Sequence, residues 1–367
     1  MTKRFKYLGL FLLWVPIIFI GVVTVQAATY YVATTGDDVD SGSESLPFKT
    51  IKKGLKLLQA GDTLYIRGGT YPEAISSNAQ TIPTGTSWEN APVISAHPGE
   101  AVVLRPPGGT EVINLAHPYI QYVIFQGLDL DASGLQRSCP DGYGCSYGVS
   151  GTNGAHHVRF RNIEIKNAAG SGVLITHGAS NAATAFEFID CDVHHNGTSF
   201  WDHGLYISTS GNQVRNSKVH HNASFGIHLY TGDLAVTANN NTLDGNDVSN
   251  NAVVSESSPG ILVTNGSGNR VSNNIVRGNK NGIHVGSAFS SEVNTSGTTI
   301  YNNTIYGNTP GVGIDIFPSS SHTDVQNNNV ATVRNQGRNT VNTNNRSEDV
   351  GTEELSRPHT PTGLGFQ

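Results

Sequence analysis

Histidine is unevenly placed in this chain. There are 14 in 367 residues, and His156, His157, His177, His194, His195, His203, His220, His221 and His228 all fall within one short stretch. At its centre, Phe200-Trp201-Asp202-His203 closes a polar segment that begins at Asn196. Tyr206, Lys218 and His228 follow. Imidazole titrates near neutral pH and can take or give a proton in water. Asp202 is a candidate to orient an imidazole, and Tyr206 is a candidate second proton-transfer group. The flat rings of Phe200 and Trp201 suit stacking on the apolar faces of sugars. A cation such as Lys218 would neutralise a carboxylate. Removal of the C5 proton of a uronate needs this set: His203 or His228 as base, Tyr206 for the second proton, Lys218 on the carboxylate and Asp202 behind a histidine. Loss of the leaving oxygen would make the reaction a β-elimination; return of a proton from the opposite face would make it a C5-epimerisation. Trp201, Phe200, His194, His220 and Arg277 are the expected substrate contacts.

What positions these groups is a repeat. Apolar residues end similar segments at Ile165, Val193, Val219, Val248, Val276, Ile305 and Val330, with spacings of 28, 26, 29, 28, 29 and 25. A second register five positions upstream runs Phe160, Phe188, Val214, Leu243, Val271, Ile300 and Val325. A third stripe reads Gly172-Val173, Gly204-Leu205, Gly226-Ile227, Gly260-Ile261, Gly282-Ile283 and Gly313-Ile314. Three short period-2 strands per repeat, separated by Gly and Asn, cannot hold a sheet alone, but stacked coil on coil they pair in parallel and bury one continuous core. The pattern predicts an all-β parallel β-helix of about ten coils. Asn246, Asn274, Asn303 and Asn328 recur at one corner, where side-chain amides can ladder between coils.

Strand alternation then assigns outward columns: Glu164, Asp192, Lys218, Asp247, Ile275, Thr304; next to it Lys166, His194, His220, Ser249, Arg277, Tyr306; and on the third stripe Leu174, Tyr206, His228, Leu262, His284, Asp315. The first column alternates enough in sign to be a solvated ladder of ion pairs, and the paired histidines are compatible with simple turn chemistry. Stacked histidines suggest zinc only weakly, since no closed carboxylate or Cys set accompanies them. Calcium through Asp190, Asp192 and Asp202 would suit an acidic polysaccharide.

Composition narrows the class. Charged residues are 14% and there is one Met against 42 Gly, which disfavours helical bundles, while 37% hydrophobic content is too high for a disordered chain. The formal net charge is −6, against a nucleic-acid partner. Lys3, Arg4 and Lys6 precede an uncharged run from Tyr7 to Val25, and Val25-Gln26-Ala27 offers small residues for cleavage. Residues 1–27 read as a secretory signal, which on cleavage leaves no stable membrane span and a chain exported to the periplasm, cell surface or medium; an uncleaved membrane anchor is the second reading, since 19 uncharged residues is long for a signal core. Cys139 and Cys145 are spaced for a small loop disulfide in that setting, and Cys191 sits in an apolar alternation that predicts a buried thiol. A capping helix is expected within residues 47–59, with Ile51, Leu55 and Leu58 on one face. The β-helix is expected over 28–335 and a polar tail over 336–367.

Tyr30-Tyr31-Val32, Pro47-Phe48-Lys49-Thr50-Ile51, Ala60-Gly61-Asp62-Thr63-Leu64 and Gly69-Thr70-Tyr71-Pro72-Glu73, with the Asn-rich coils from 156 to 330, resemble the secreted right-handed β-helix proteins. That group includes pectate, alginate and chondroitin lyases. The resemblance implies the right-handed fold and a polysaccharide partner, acted on by lyase or epimerase chemistry. The scaffold also carries hydrolases and inert adhesins, so a non-catalytic glycan-binding or cell-surface rod is the second reading. The chain departs from the group's reaction motifs: Trp201-Asp202-His203-Gly204 stands where the epimerases carry Asp-Pro-His-Asp, and Asp192 with Lys218 is only a fragment of the calcium-dependent lyase cluster. Hydrolysis would need paired carboxylates across the bond, and the His-rich coils offer no adjacent Asp pair.

Overall fold

The computed structural model describes residues 27–79, 81–136, 146–178, 181–230, 237–287 and 295–347. The signal segment, Cys139 and Cys145, and the chain after residue 347 lie outside them. Short strands wind into three long parallel sheets. Sheet A has twelve strands, from Thr29–Val32 to Val341–Thr343. Sheet B has ten, from Gly69–Tyr71 to Asn329–Val330, and sheet C has ten, from Ile75–Ser76 to Val333–Asn335. From Thr63–Ile66 onward successive strands enter the three sheets in the order A, B, C. A three-stranded ribbon of two-residue strands at Gly266–Ser267, Thr295–Ser296 and Ser320–Ser321 runs beside them.

The alternation read from sequence is the burial pattern. Inward residues stack in register, Phe125 on Phe160 on Phe188 with ring centroids 5.1 Å apart at each step. Ile165, Val193, Val219 and Val248 are fully buried beneath sheet B. Cys191 joins the core, and burial pushes its thiol up to about 12.

Three amide ladders hold the corners. Between sheets A and B, Asn246 Nδ2 donates to Asn274 Oδ1 at 2.9 Å and to Val214 O at 2.9 Å, and the pattern repeats through Asn303 and Asn328 to Asn345. A second ladder, between B and C, runs Asn196, Asn222, Asn251, Asn279, Asn308, and a third, between C and A, runs Asn212, Asn241, Asn269. Each buried amide satisfies backbone groups that a corner would otherwise orphan. The glycine of the third stripe has a steric cause. A Cβ on Gly204 would lie 2.5 Å from Gly226 O and 2.8 Å from Asn222 Nδ2.

The N-terminal end is covered by α1 (Ile51–Leu57), shorter than the 47–59 expected. Thr50 caps it, its hydroxyl accepting from Lys53 N at 3.1 Å. Pro47 to Lys49 lie outside the helix, where Phe48 forms a parallel bridge with Val32. At the far end coil structure continues past residue 335: Val341–Thr343 pairs with Asp324–Gln326, and Asn345 receives the ladder from Asn328. No helix among the described residues is long and apolar enough to cross a membrane.

Candidate active site

The outward columns occupy different faces, and this separates the residues grouped in sequence. Strands Leu205–Ile207 and Ile227–Tyr230 are neighbours in sheet C, with Tyr206 opposite His228. His203, one residue before the steric glycine, enters beside them. His228 Nδ1 lies 3.1 Å from His203 Nε2. Both imidazoles are buried, at 4% and 7% exposure. Burial pushes His203 down to about 3. Burial, then the neighbouring His203 charge, holds His228 well below the usual range. Both rings are therefore neutral at physiological pH. Half-buried Tyr206 packs against both, at centroid distances of 5.6 and 5.2 Å, and burial raises its phenol to about 12.

Two residues complete the cluster that sequence reasoning missed. Phe225 packs at 4.7 Å on His203 and 4.6 Å on His228, and Tyr230 stacks on His228 at 5.1 Å. The signal was present: Phe225 precedes Gly226 as His203 precedes Gly204, and Tyr230 is two residues beyond His228 on the same strand face. Above Phe225 the longer loop carries Phe200, 5.8 Å away, and Trp201, which packs on Phe200 and is 62% exposed. Val253 and Val254 add exposed apolar side chains on a later turn, hydrogen-bonded by backbone to Asn222 and Ala223. This side of sheet C thus has an apolar wall.

The hydrogen-bond inventory of the imidazole pair has a chemical consequence. His203 Nδ1 and His228 Nε2 are buried with no partner at hydrogen-bond geometry among the described residues, although the backbone of the adjacent Asp202 lies close enough to His203 to favour its protonated ring. A neutral imidazole has one N–H and one lone pair. Two joined by a single hydrogen bond must therefore present one free lone pair and one free N–H at their outer atoms, whichever tautomers are chosen. Leaving such atoms unmatched costs about 1–3 kcal/mol each.

Four expectations are corrected: the roles of Asp202 and Lys218, the substrate contacts on sheet B, and the calcium ligands. Asp202 does not orient a histidine: its Oδ2 accepts from Thr198 N at 3.0 Å, Ser199 N at 2.7 Å and Ser199 Oγ at 2.8 Å. It closes the loop that carries Phe200 and Trp201. Lys218 does not reach the cluster, because it stands exposed on sheet B between Asp192 and Asp247 in the column. His194, His220 and Arg277 share that sheet and are likewise apart from the sheet C cluster. His194 Nε2 contacts Glu164 and His220 Nε2 contacts Asp192, each at 2.9 Å, while Arg277 pairs with Asp247 at 2.8 Å. His195 and His221 take left-handed corners with φ of 54° and 53°, as Asn does in other coils. This face is the solvated ladder. Calcium through Asp190, Asp192 and Asp202 does not fit either: Asp192 accepts from a histidine on sheet B while Asp202 is committed to its own loop. No group of three or more His, Cys, Asp or Glu among the described residues is arranged to hold a metal.

Stacked sheets with an imidazole and aromatic cluster on the outer face of sheet C define a parallel β-helix protein; a cavity of about 440 Å³ lies on the other face, on sheet B, where Asp129, Glu164, Asp190 and Asp192 line it. Residues 30–348 match the family described as Pel9A-like, right handed beta helix region, and the chain belongs to that family. It is 38% identical over 81 residues to a pectate lyase, PEL9, of Emericella nidulans, a match covering 22% of this chain and 19% of that protein; the match therefore spans about a fifth of the relative's length. In structure it is similar to a rhamnogalacturonan lyase (TM-score 0.59, 14% identity, covering 91% of this chain and 94% of the other). It is also similar to a glycoside hydrolase (TM-score 0.56, 12% identity, covering 87% and 97%). These likenesses share the fold.

Proposed function

We propose that the protein is a polysaccharide lyase that works outside the cytoplasm, cleaving a uronate-containing chain by β-elimination on the outer face of sheet C. The observation that carries the reading is the buried, neutral His203–His228 pair with one lone pair and one N–H left unmatched. The lone pair takes the C5 proton of the uronate. The N–H donates to the substrate carboxylate, onto which negative charge moves as the proton leaves. Tyr206, whose raised pKa keeps its phenol protonated, donates to the glycosidic oxygen as the C4–O bond breaks and the C4–C5 double bond forms. The bound carboxylate raises the pKa of the imidazole that accepts the proton, so a base that is weak in the free protein strengthens when substrate is present.

The membership of a family with a pectate lyase relative supports this substrate class. Hydrolysis is the weaker alternative: of the carboxylates on this face, Asp202 is tied to its loop, Asp315 to Arg334, and Glu111 accepts from Thr110 Oγ1 at 2.6 Å, whereas a hydrolase needs two acting as a pair across the bond. The test is to incubate the purified chain with polygalacturonate, alginate and glycosaminoglycans, with and without calcium. The ultraviolet absorbance of the unsaturated uronate is the expected product signal. Cleavage giving only saturated reducing ends would overturn elimination in favour of hydrolysis; glycan binding with no product would favour the rod.

A further inference from the structure

Further along the same face of sheet C lies a second polar cluster that the reading above does not use. The outward column continues from His228 through Leu262 and His284 to Asp315 and Arg334, each in register with the next. The Asp315 side chain is 0% exposed although it sits at an outward strand position. Arg334 covers it, Nε donating to Oδ1 at 2.8 Å and Nη2 to Oδ2, while its own side chain remains 52% exposed. His284 lies beneath, edge-on to Phe317 at 5.3 Å, with a buried Nε2 that has no partner among the described residues.

We propose that Arg334, pinned by buried Asp315, is a specificity-determining subsite that takes the carboxylate of a second acidic sugar, about four coils or roughly 19 Å from His228. The inference rests on the reading that sheet C carries the polysaccharide. A surface arginine ordinarily samples many rotamers; here one edge of the guanidinium is held by a two-point contact, which fixes the direction of its remaining N–H groups. The pair is neutral overall, so selectivity comes from directed hydrogen bonds and not from net charge. Packing alone does not require the arrangement: neighbouring positions of the column hold Leu262 and His284, and burying a carboxylate is costly unless it is fully paired. An extended sugar chain advances by about one coil spacing per unit, so an acidic chain laid along the coils brings a carboxylate over Arg334 while another unit sits at His228.

The experiment is calorimetric binding of oligogalacturonates of increasing length, and of their methyl esters, to the full chain carrying His228→Ala so that nothing is cut. Adding Arg334→Gln should weaken binding of acidic chains of about five sugars or more by about tenfold, the worth of one charge-assisted contact. Binding of disaccharides and of methyl esters should not change. Asp315→Asn, which unpins the guanidinium, should reproduce part of the loss. Equal binding of long acidic chains with and without Arg334 would overturn the subsite, and so would equal losses on methyl esters or on disaccharides. Length-dependent, Arg334-dependent binding, together with no unsaturated product from the chain that retains His228, would sink the lyase reading and leave the subsite standing.

Discussion

The outer faces of sheets B and C are built by the same repeat and treat polar side chains in opposite ways. On sheet B charge is plentiful and matched: Lys166 bridges Asp129 and Glu164 at 2.8 and 2.9 Å, His220 meets Asp192, and Arg277 meets Asp247. These groups keep partial contact with water. Sheet B also buries two unpartnered carboxylate oxygens, Asp129 Oδ1 and Asp247 Oδ1, but each belongs to an ion pair; on sheet C around His228 charge is scarce and the unpartnered buried atoms are imidazole nitrogens. A ladder of ion pairs has spent most of its hydrogen-bonding capacity on itself. An unmatched buried pair holds its hydrogen-bonding capacity in reserve, which is the condition for acting on something else.

The largest expected effect sets the faces directly against each other. His228→Ala should lower the elimination rate by about 100-fold or more, the usual worth of a positioned proton-transfer group. Lys218→Ala, at the residue sequence reasoning chose to neutralise the substrate, should change it less than about threefold, since Lys218 is on the other face. Initial rates of unsaturated product on both variants decide the matter, and equal losses would erase the contrast. Next in size, Trp201→Ala should raise KM by about tenfold with kcat nearly kept, because an exposed platform contributes binding that the ground and transition states share. A fall confined to kcat would place Trp201 in the chemistry instead.

Much of this was legible from the residues. Corners need Asn and Gly, strands alternate, and the column assignments follow; the adjacency of Tyr206 and His228 came straight from the Gly204 and Gly226 stripe. What failed was the assumption that nearness along the chain survives the corners. Lys218 is ten positions before His228 and both point outward, yet the corner ladder through Asn222 lies between them and turns the chain from one face to another. Asp202 adjoins His203, but its carboxylate bends back to the amides of Thr198 and Ser199, a local turn that residue types alone do not specify. At the C-terminal end Asn345 follows Asn328 by only 17 positions, well short of the repeat, so the last coil did not register as one.

Acid should separate the faces more finely. Unfolded imidazole titrates near 6.5, whereas burial holds His203 at about 3 and His284 at about 4 in the fold. Between those values the unfolded chain binds more protons, so stability rises with pH: this contribution is complete above about pH 6.5 and is lost as pH falls toward the folded values. Melting temperature should therefore drop between about pH 7 and pH 5, and His203→Gln should flatten the slope. The smallest effect belongs to sheet B. Removing its His220–Asp192 contact by His220→Ala should cost less than about 1 kcal/mol, as partly exposed ion pairs do, and should leave the acid slope set by the sheet C histidines in place. Denaturant melts of His203→Gln and His220→Ala at several pH values test both, and a larger loss of slope in His220→Ala would move the buried proton reservoir to the wrong face.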